Sequence, residues 1–207
     1  MDRTALIQVG KQLFARHGYR DVSIADIARE MGMSVGSFYN YFESKERFYG
    51  AILDAIEEEG IRNANLLVRR LHSPMNKLKA VYRFATLGLK NNVILRGVML
   101  RDERFLYPGL SERTETLRTH IEGLLREIIM EGTSKGVFRT GLYQDPAKMI
   151  LAIFDTIVVR LEDPAVDVLI SDVLTLLQRG LRRALRLRRR DERVDRRNRR
   201  RGREESP

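Results

Sequence analysis

Between residues 23 and 45 the chain collects Ser23, Ser34, Val35, Gly36, Ser37, Tyr39, Asn40, Tyr41 and Lys45. Hydroxyls, phenols, a carboxamide and an ammonium can donate to phosphate oxygens or to base edges, so the chemistry this set offers is non-covalent recognition of a nucleic acid. Once the apolar anchors Phe38 and Phe42 are set aside, residues 34–37 and 39–41 form an outward face that is small and uncharged, which is odd for an ordinary surface helix. Gly36 near a helix start costs about 1 kcal/mol against alanine, and it makes sense where backbone must approach another molecule closely. On this reading Ser23, Ser34, Tyr41 and Lys45 hold phosphates, Gly36, Ser37 and Asn40 lie nearest base edges, and Tyr39 serves either set. The alternative is a compact three-helix unit that merely carries surface tyrosines.

These residues need two short helices to position them. Ile24, Ile27, Ala28 and Met31 recur at helical spacing, and Val35, Phe38 and Phe42 nearly repeat it after a break at Gly32-Met33-Ser34. Ser23 followed three residues later by Asp26 is an N-cap with an acidic partner. Gly32 suits the left-handed position after a helix, and Ser34 and Ser44 can cap the helices that follow. Two helices joined by a short turn containing glycine form a helix-turn-helix, which delivers its second helix to the DNA major groove. That second helix is only about two turns long and is marginal alone. Phe38 and Phe42 must anchor it in a core shared with Leu6, Leu13 and Phe14 of a preceding helix that ends near Gly18.

The same residues carry a family resemblance. Gly18-Tyr19, Ser23, Ile27-Ala28, Gly32, Ser34, Gly36, Tyr39, Tyr41-Phe42 and Lys45 resemble the DNA-binding domain of the TetR family of bacterial transcriptional repressors over about the first fifty residues. Val35 stands where that family often has lysine or another polar residue, which removes one possible phosphate contact. Asn40 fills a variable position that is often His or Arg. The resemblance implies a homodimer on a pseudo-palindromic operator, released by a small hydrophobic or amphipathic ligand. The spacing from Arg96 through Asp102-Glu103 to Gly136-Val137-Phe138 resembles members that sense fatty acyl-CoA. An alternative within the same fold is a DNA-bound structural or division-control factor with no small-molecule inducer.

Composition excludes much else. With no cysteine among 207 residues, disulfides, thiolate metal sites and thiol catalysis are ruled out. His17, His72 and His120 have no metal-ligand spacing, and no nucleophile–base pair or phosphate loop is present, so no cofactor, metal or enzymatic activity is expected. The start MDRTALIQ does not read as a signal peptide, and the apolar run from Met149 to Val159 is broken by Asp155 and too short for a bilayer. A soluble, cytoplasmic protein with no membrane insertion is expected. The net charge of +10 is unevenly spread: residues 182–207 hold 13 arginines against 5 acidic residues, while the helix-turn-helix is almost neutral. From Leu187 onward the apolar period is lost, and 188–207 reads as a disordered Arg-rich tail. It can track phosphates, meet an anionic membrane surface, or be a solvated extension.

Everything after residue 45 reads as helix: about 44–71, 74–91, 93–106, 110–132, 145–161 and 166–187. The expected fold is all-α with about nine helices. A three-helix DNA-binding domain spans 1–47, and a ligand-binding and dimerisation domain spans 48–187. The last two helices are apolar on most of their circumference and must be buried on most of it. A copy of the same pair supplies the cover most simply, with Ile153, Ile157, Val173, Leu177 and Leu181 in the seam; burial inside one chain is the alternative. Phe84, Met99, Phe105, Tyr107, His120, Ile128 and Phe154 are the candidate lining of an inducer pocket, or else an ordinary core. Arg96, Arg101, Arg104 and His120 can meet an anionic group, or lie on a solvated face.

Overall fold

A computed structural model describes residues 2–108, 110–139 and 144–181; the Arg-rich segment 188–207 and the expected helix end at 187 lie outside the described residues. In chain order the helices are α1 Arg3–Asp21, α2 Ile24–Glu30, α3 Val35–Tyr39, α4 Lys45–Arg69, α5 Pro74–Asn91, α6 Val93–Met99, α7 Leu110–Ser134 and α8 Pro146–Val158. A ninth helical stretch, α9, occupies 166–181 as far as the chain is described. Among the described residues there is no strand, and the architecture is the all-α one expected.

Local chemistry explains the element ends. Ser23 accepts the Asp26 N–H at 3.1 Å while Asp26 accepts the Ser23 N–H at 3.0 Å, so the capping box at α2 is closed both ways. Gly32 takes φ 62, its N–H donates to Arg29, and the Met33 N–H donates to Ala28 at 2.9 Å. That is a Schellman end, in which two otherwise orphaned carbonyls are satisfied. Ser34, Ser44, Asn92 and Asp145 each accept a first-turn N–H from the helix that follows.

Two cores result. One gathers Leu6, Phe14, Phe38, Phe42, Phe48 and Tyr49 from α1, α3, α4 and the turn between them, and it continues into Ile94 and Val98 of α6 and on to Phe105. The other packs α5, α7, α8 and α9 together. Leu95 on α6 touches both. A helix of five residues such as α3 cannot hold itself. Phe38 is fully buried, with its ring 5.2 Å from Phe48 and 5.9 Å from Phe42. Burial of about 1.5–3 kcal/mol per such side chain is what keeps the element formed.

Three ends differ from the sequence reading: the first helix, expected to end near Gly18, kinks there at φ 82 and ψ 171 and runs on to Asp21. The helix expected over 93–106 stops at Met99. Arg101 enters the left-handed region at φ 56, and the Asp102 N–H returns to the Gly97 carbonyl at 2.8 Å. The reason is tertiary: the Phe105 ring folds back onto Gly97, where a side chain would stand 2.1 Å from it. The helix expected to reach Leu161 stops at Val158, and turns over 159–162 carry Leu161 and then Val166 back into the core.

Candidate nucleic-acid interface and interior cavity

The recognition face is built from the inside outward. Phe38 fixes α3 from below, and Val35, Gly36, Tyr39 and Asn40 are left exposed, with Ser34 at the helix start and Ser37 and Tyr41 half-buried. The Ser34 oxygen accepts the Ser37 N–H at 3.0 Å, and the two hydroxyls lie 2.8 Å apart, so both polar groups of the first turn are held in place. A Cβ added at Gly36 would meet nothing nearer than the Ser34 hydroxyl at 3.8 Å. No internal contact therefore requires glycine there.

Two of the expected phosphate donors are already engaged. The Ser23 hydroxyl donates to Asp26 at 2.6 Å, which commits its proton to the α2 cap. That bond and the Ser23 N–H hold the Asp26 carboxyl below its ordinary value. Lys45 lies with its ammonium 4.3 Å above the Tyr19 ring and 3.4 Å from the Arg20 carbonyl. Partial burial holds its pKa below the ordinary lysine value. The Tyr19 hydroxyl donates to Glu46 at 2.7 Å, which keeps that carboxyl below the usual carboxylate range. Lys45 thus sits in a built cradle rather than free in solvent. Arg3 was missed in the sequence. Its guanidinium stands 4.9 Å from the centre of the Phe42 ring and brings a cation beside the end of α3. Arg3 and Phe42 are brought together only by tertiary packing, and no local sequence signal announces it.

The segment after α6 straps the back of this unit. The Tyr19 N–H donates to the Arg104 carbonyl at 2.6 Å, and the Tyr49 hydroxyl donates to the Phe105 carbonyl at 3.2 Å. Tyr107 packs its ring 5.7 Å from Tyr19 and 5.3 Å from Tyr49. Phe105 and Tyr107, expected in a ligand pocket, belong to this strap and its core. Both were misplaced because the end of α6 at Met99 turns the chain toward α1.

A cavity of about 240 Å³ lies between α4, α5, α6 and α7, closed on one side by Phe154. Phe84, Met99, His120 and Phe154 of the expected set line it; Ile128 instead is buried in the main core. The His120 Nε2 is buried with no hydrogen-bond partner. Of the arginines considered for an anion, Arg96 donates to the Lys90 carbonyl and pairs with Glu162, and Arg104 pairs with Asp102. None of Arg96, Arg101 and Arg104 reaches the cavity wall.

A second hollow, a groove of about 320 Å³, runs between α8 and α9 past Met149, Ile153, Leu176 and Leu177. Of the expected seam residues, Ile157 (1 % exposed) is interior to the single chain, whereas Val173 and Leu181, though buried, line the groove together with the partly open Ile153 and Leu177. The helical period allowed either assignment; α5 and α7 cover the Ile157 side. The open apolar surface is carried by Met149, Val159, Val168 and Leu176.

Comparison with known proteins agrees with this geometry. The family model for bacterial regulatory proteins, tetR family, matches residues 6–52. The chain is similar to the HTH-type transcriptional repressor DhaR of Mycobacterium sp. strain GP1, at 28 % identity over 69 % of this chain and 73 % of that one. It is similar to the nucleoid occlusion factor SlmA of Cronobacter sakazakii, at 24 % identity over 61 % and 64 %. Its fold superposes on the transcriptional regulator FadR of Bacillus subtilis, solved in complex with stearoyl-CoA, with a TM-score of 0.71, 21 % identity and coverage of 87 % and 100 %.

Proposed function

We propose that this chain, which belongs to the TetR family of bacterial regulatory proteins, is a ligand-responsive repressor that binds a pseudo-palindromic operator as a homodimer. The observation that carries the reading is the face of α3: anchored by Phe38, exposed at Val35, Tyr39 and Asn40, and open at Gly36 with no internal reason for glycine. In this proposal Gly36, Ser37 and Asn40 lie nearest base edges. Ser34, Tyr41 and Lys45 face phosphates, joined by Arg3, while Ser23 acts through its cap. Residues 1–47 contact DNA and 48–187 bind ligand and partner, with 188–207 as a tail adding charge. No described helix is long and apolar enough to cross a membrane.

The coupling follows the packing. Leu95 and Met99 of α6 line the cavity, and the strap that follows α6 holds Tyr19, whose ring supports Lys45. A ligand that displaces α6 shifts the strap and with it the spacing of two α3 helices. It does so only to the extent that it prefers one conformer over the other, with a coupling of about 1–3 kcal/mol. Selection of genomic fragments by the purified protein, followed by sequencing, tests the reading. Two inverted half-sites about one helical turn apart are expected, and fragments without a shared sequence would overturn it.

A second reading is a DNA-bound structural factor without an inducer, favoured by the likeness to SlmA. The apolar cavity supports the first reading, and ligand-dependent release of DNA separates the two.

A further inference from the structure

The cavity beneath α6 has a chemistry narrow enough to define what fits it, on the premise of the ligand-responsive reading above. We propose that its ligand is a neutral, largely apolar molecule with a single hydrogen-bonding group, and that this group sits on Nε2 of His120.

The wall is almost wholly hydrocarbon, with Phe84, Leu124 and Phe154 among its larger faces. Among the described residues Glu59 is the one charged side chain lining it, and that carboxylate lies on the exposed side, 3.3 Å from the Lys11 ammonium. Asn92 spends its carbonyl oxygen on the Leu95 N–H at 3.0 Å, and Asn63 is exposed. Of the polar side-chain atoms in this wall, the one buried without a partner is the imidazole Nε2 of His120. Tyr82 also has an unpartnered hydroxyl, but its ring packs on Phe154 and does not line the cavity.

A buried polar atom without a partner is costly, so a ligand that supplies one hydrogen bond there gains more than contact area. An anion gains nothing. It would enter a low-dielectric wall with no cation to meet it and with Glu59 nearby, and an uncompensated charge is expelled from such a site. Fatty acyl-CoA, toward which the resemblance pointed, carries phosphates that this cavity has no group to hold. The volume of about 240 Å³ limits the ligand to a small molecule.

The test uses three matched probes on the full chain: 4-propylphenol, propylbenzene and 4-propylbenzoate, titrated calorimetrically with operator release followed in parallel. The phenol is expected to bind about tenfold tighter than the hydrocarbon and at least tenfold tighter than the ionised benzoate. His120→Phe should reduce the phenol to the affinity of the hydrocarbon. His120→Gln, which keeps a donor and an acceptor, should retain most of the preference. Equal affinity for phenol and hydrocarbon, tighter binding of the benzoate, no effect of His120→Phe, or no binding of any probe would each overturn the proposal. If His120→Phe does not fold, the ranking on the native chain decides alone. Phenol binding without release of DNA would instead sink the ligand-responsive reading and leave the cavity chemistry standing.

Discussion

The backbone N–H of Tyr19 donates to the carbonyl of Arg104 at 2.6 Å, across 85 residues of sequence. This bond joins the end of α1 to the strap that follows α6, and its neighbours reinforce it. Gly18 stands at φ 82 and ψ 171, a conformation open essentially to glycine alone. A Cβ there would lie 2.8 Å from the same Arg104 oxygen. The Gly18-Tyr19 pair that marks the family resemblance is therefore a docking point for the segment after α6 as well as a kink in α1.

Gly18→Ala should accordingly lower stability by about 1–3 kcal/mol, from backbone strain and from the displaced strap. Urea unfolding measures the loss. If the proposed function holds, operator binding should also respond less to ligand, because the strap no longer grips Tyr19. Unchanged stability would mean that the strap contact contributes nothing.

Gly36→Leu should behave in the opposite way. A side chain there meets open space, and leucine in place of glycine at a helical position gains propensity of about 0.5–1 kcal/mol. The variant should unfold at the same or higher denaturant and still lose operator binding, since in the proposed complex the added bulk faces the groove. A fluorescence-anisotropy titration that finds native affinity would remove α3 from the interface.

Much of this site was legible in the sequence because it is built from local rules. The capping box at Ser23 and Asp26, the glycine end at Gly32 and the anchors Phe38 and Phe42 all follow from side chains within a few positions of one another. The pocket was only half legible. Phe84, Met99, His120 and Phe154 reach the cavity, while Phe105 and Tyr107 go elsewhere because Phe105 packs on Gly97 and ends α6 early. That event depends on tertiary contact, and helical periodicity carries no trace of it. The last helices failed in a similar way: an apolar circumference says that both sides are covered, not which side is covered from within the chain.

Arg101 holds the left-handed position at the end of α6, where glycine is usual. The strained conformation costs about 1–2 kcal/mol, and glycine regains that less its own backbone entropy of about 0.5–1 kcal/mol. Arg101→Gly should therefore raise stability by about 0.5–1 kcal/mol, read as a higher urea midpoint with unchanged slope. A decrease would show that the Arg101 side chain makes a contact worth more than the strain.

Alkaline pH should weaken the fold. Burial pushes the phenols of Tyr19, Tyr49 and Tyr82 well above the ordinary tyrosine value, and Glu46 adds to the shift at Tyr19. A raised native pKa means stabilisation that is complete below about pH 10, where the unfolded phenols titrate, and that is lost as pH rises toward the native values. Urea midpoints should fall from about pH 10 upward. Tyr82→Phe should flatten part of that fall without loss at neutral pH, because the Tyr82 hydroxyl has no partner to forfeit.

The dimer proposal makes its sharpest claim through two aspartate substitutions that differ only in where they fall. Leu176 is 68 % exposed and borders the α8–α9 groove, whereas Ile157 is interior to one chain. If a second copy covers the groove, Leu176→Asp places a charge in an apolar seam, where it is expensive. The single chain itself should fold as before. The variant is therefore expected to sediment as a folded monomer with native helical circular dichroism and to lose high-affinity operator binding, because one half-site contributes too little. Ile157→Asp should instead unfold the chain, since its charge has no route to water. A Leu176→Asp protein that sediments as a dimer would place the seam elsewhere.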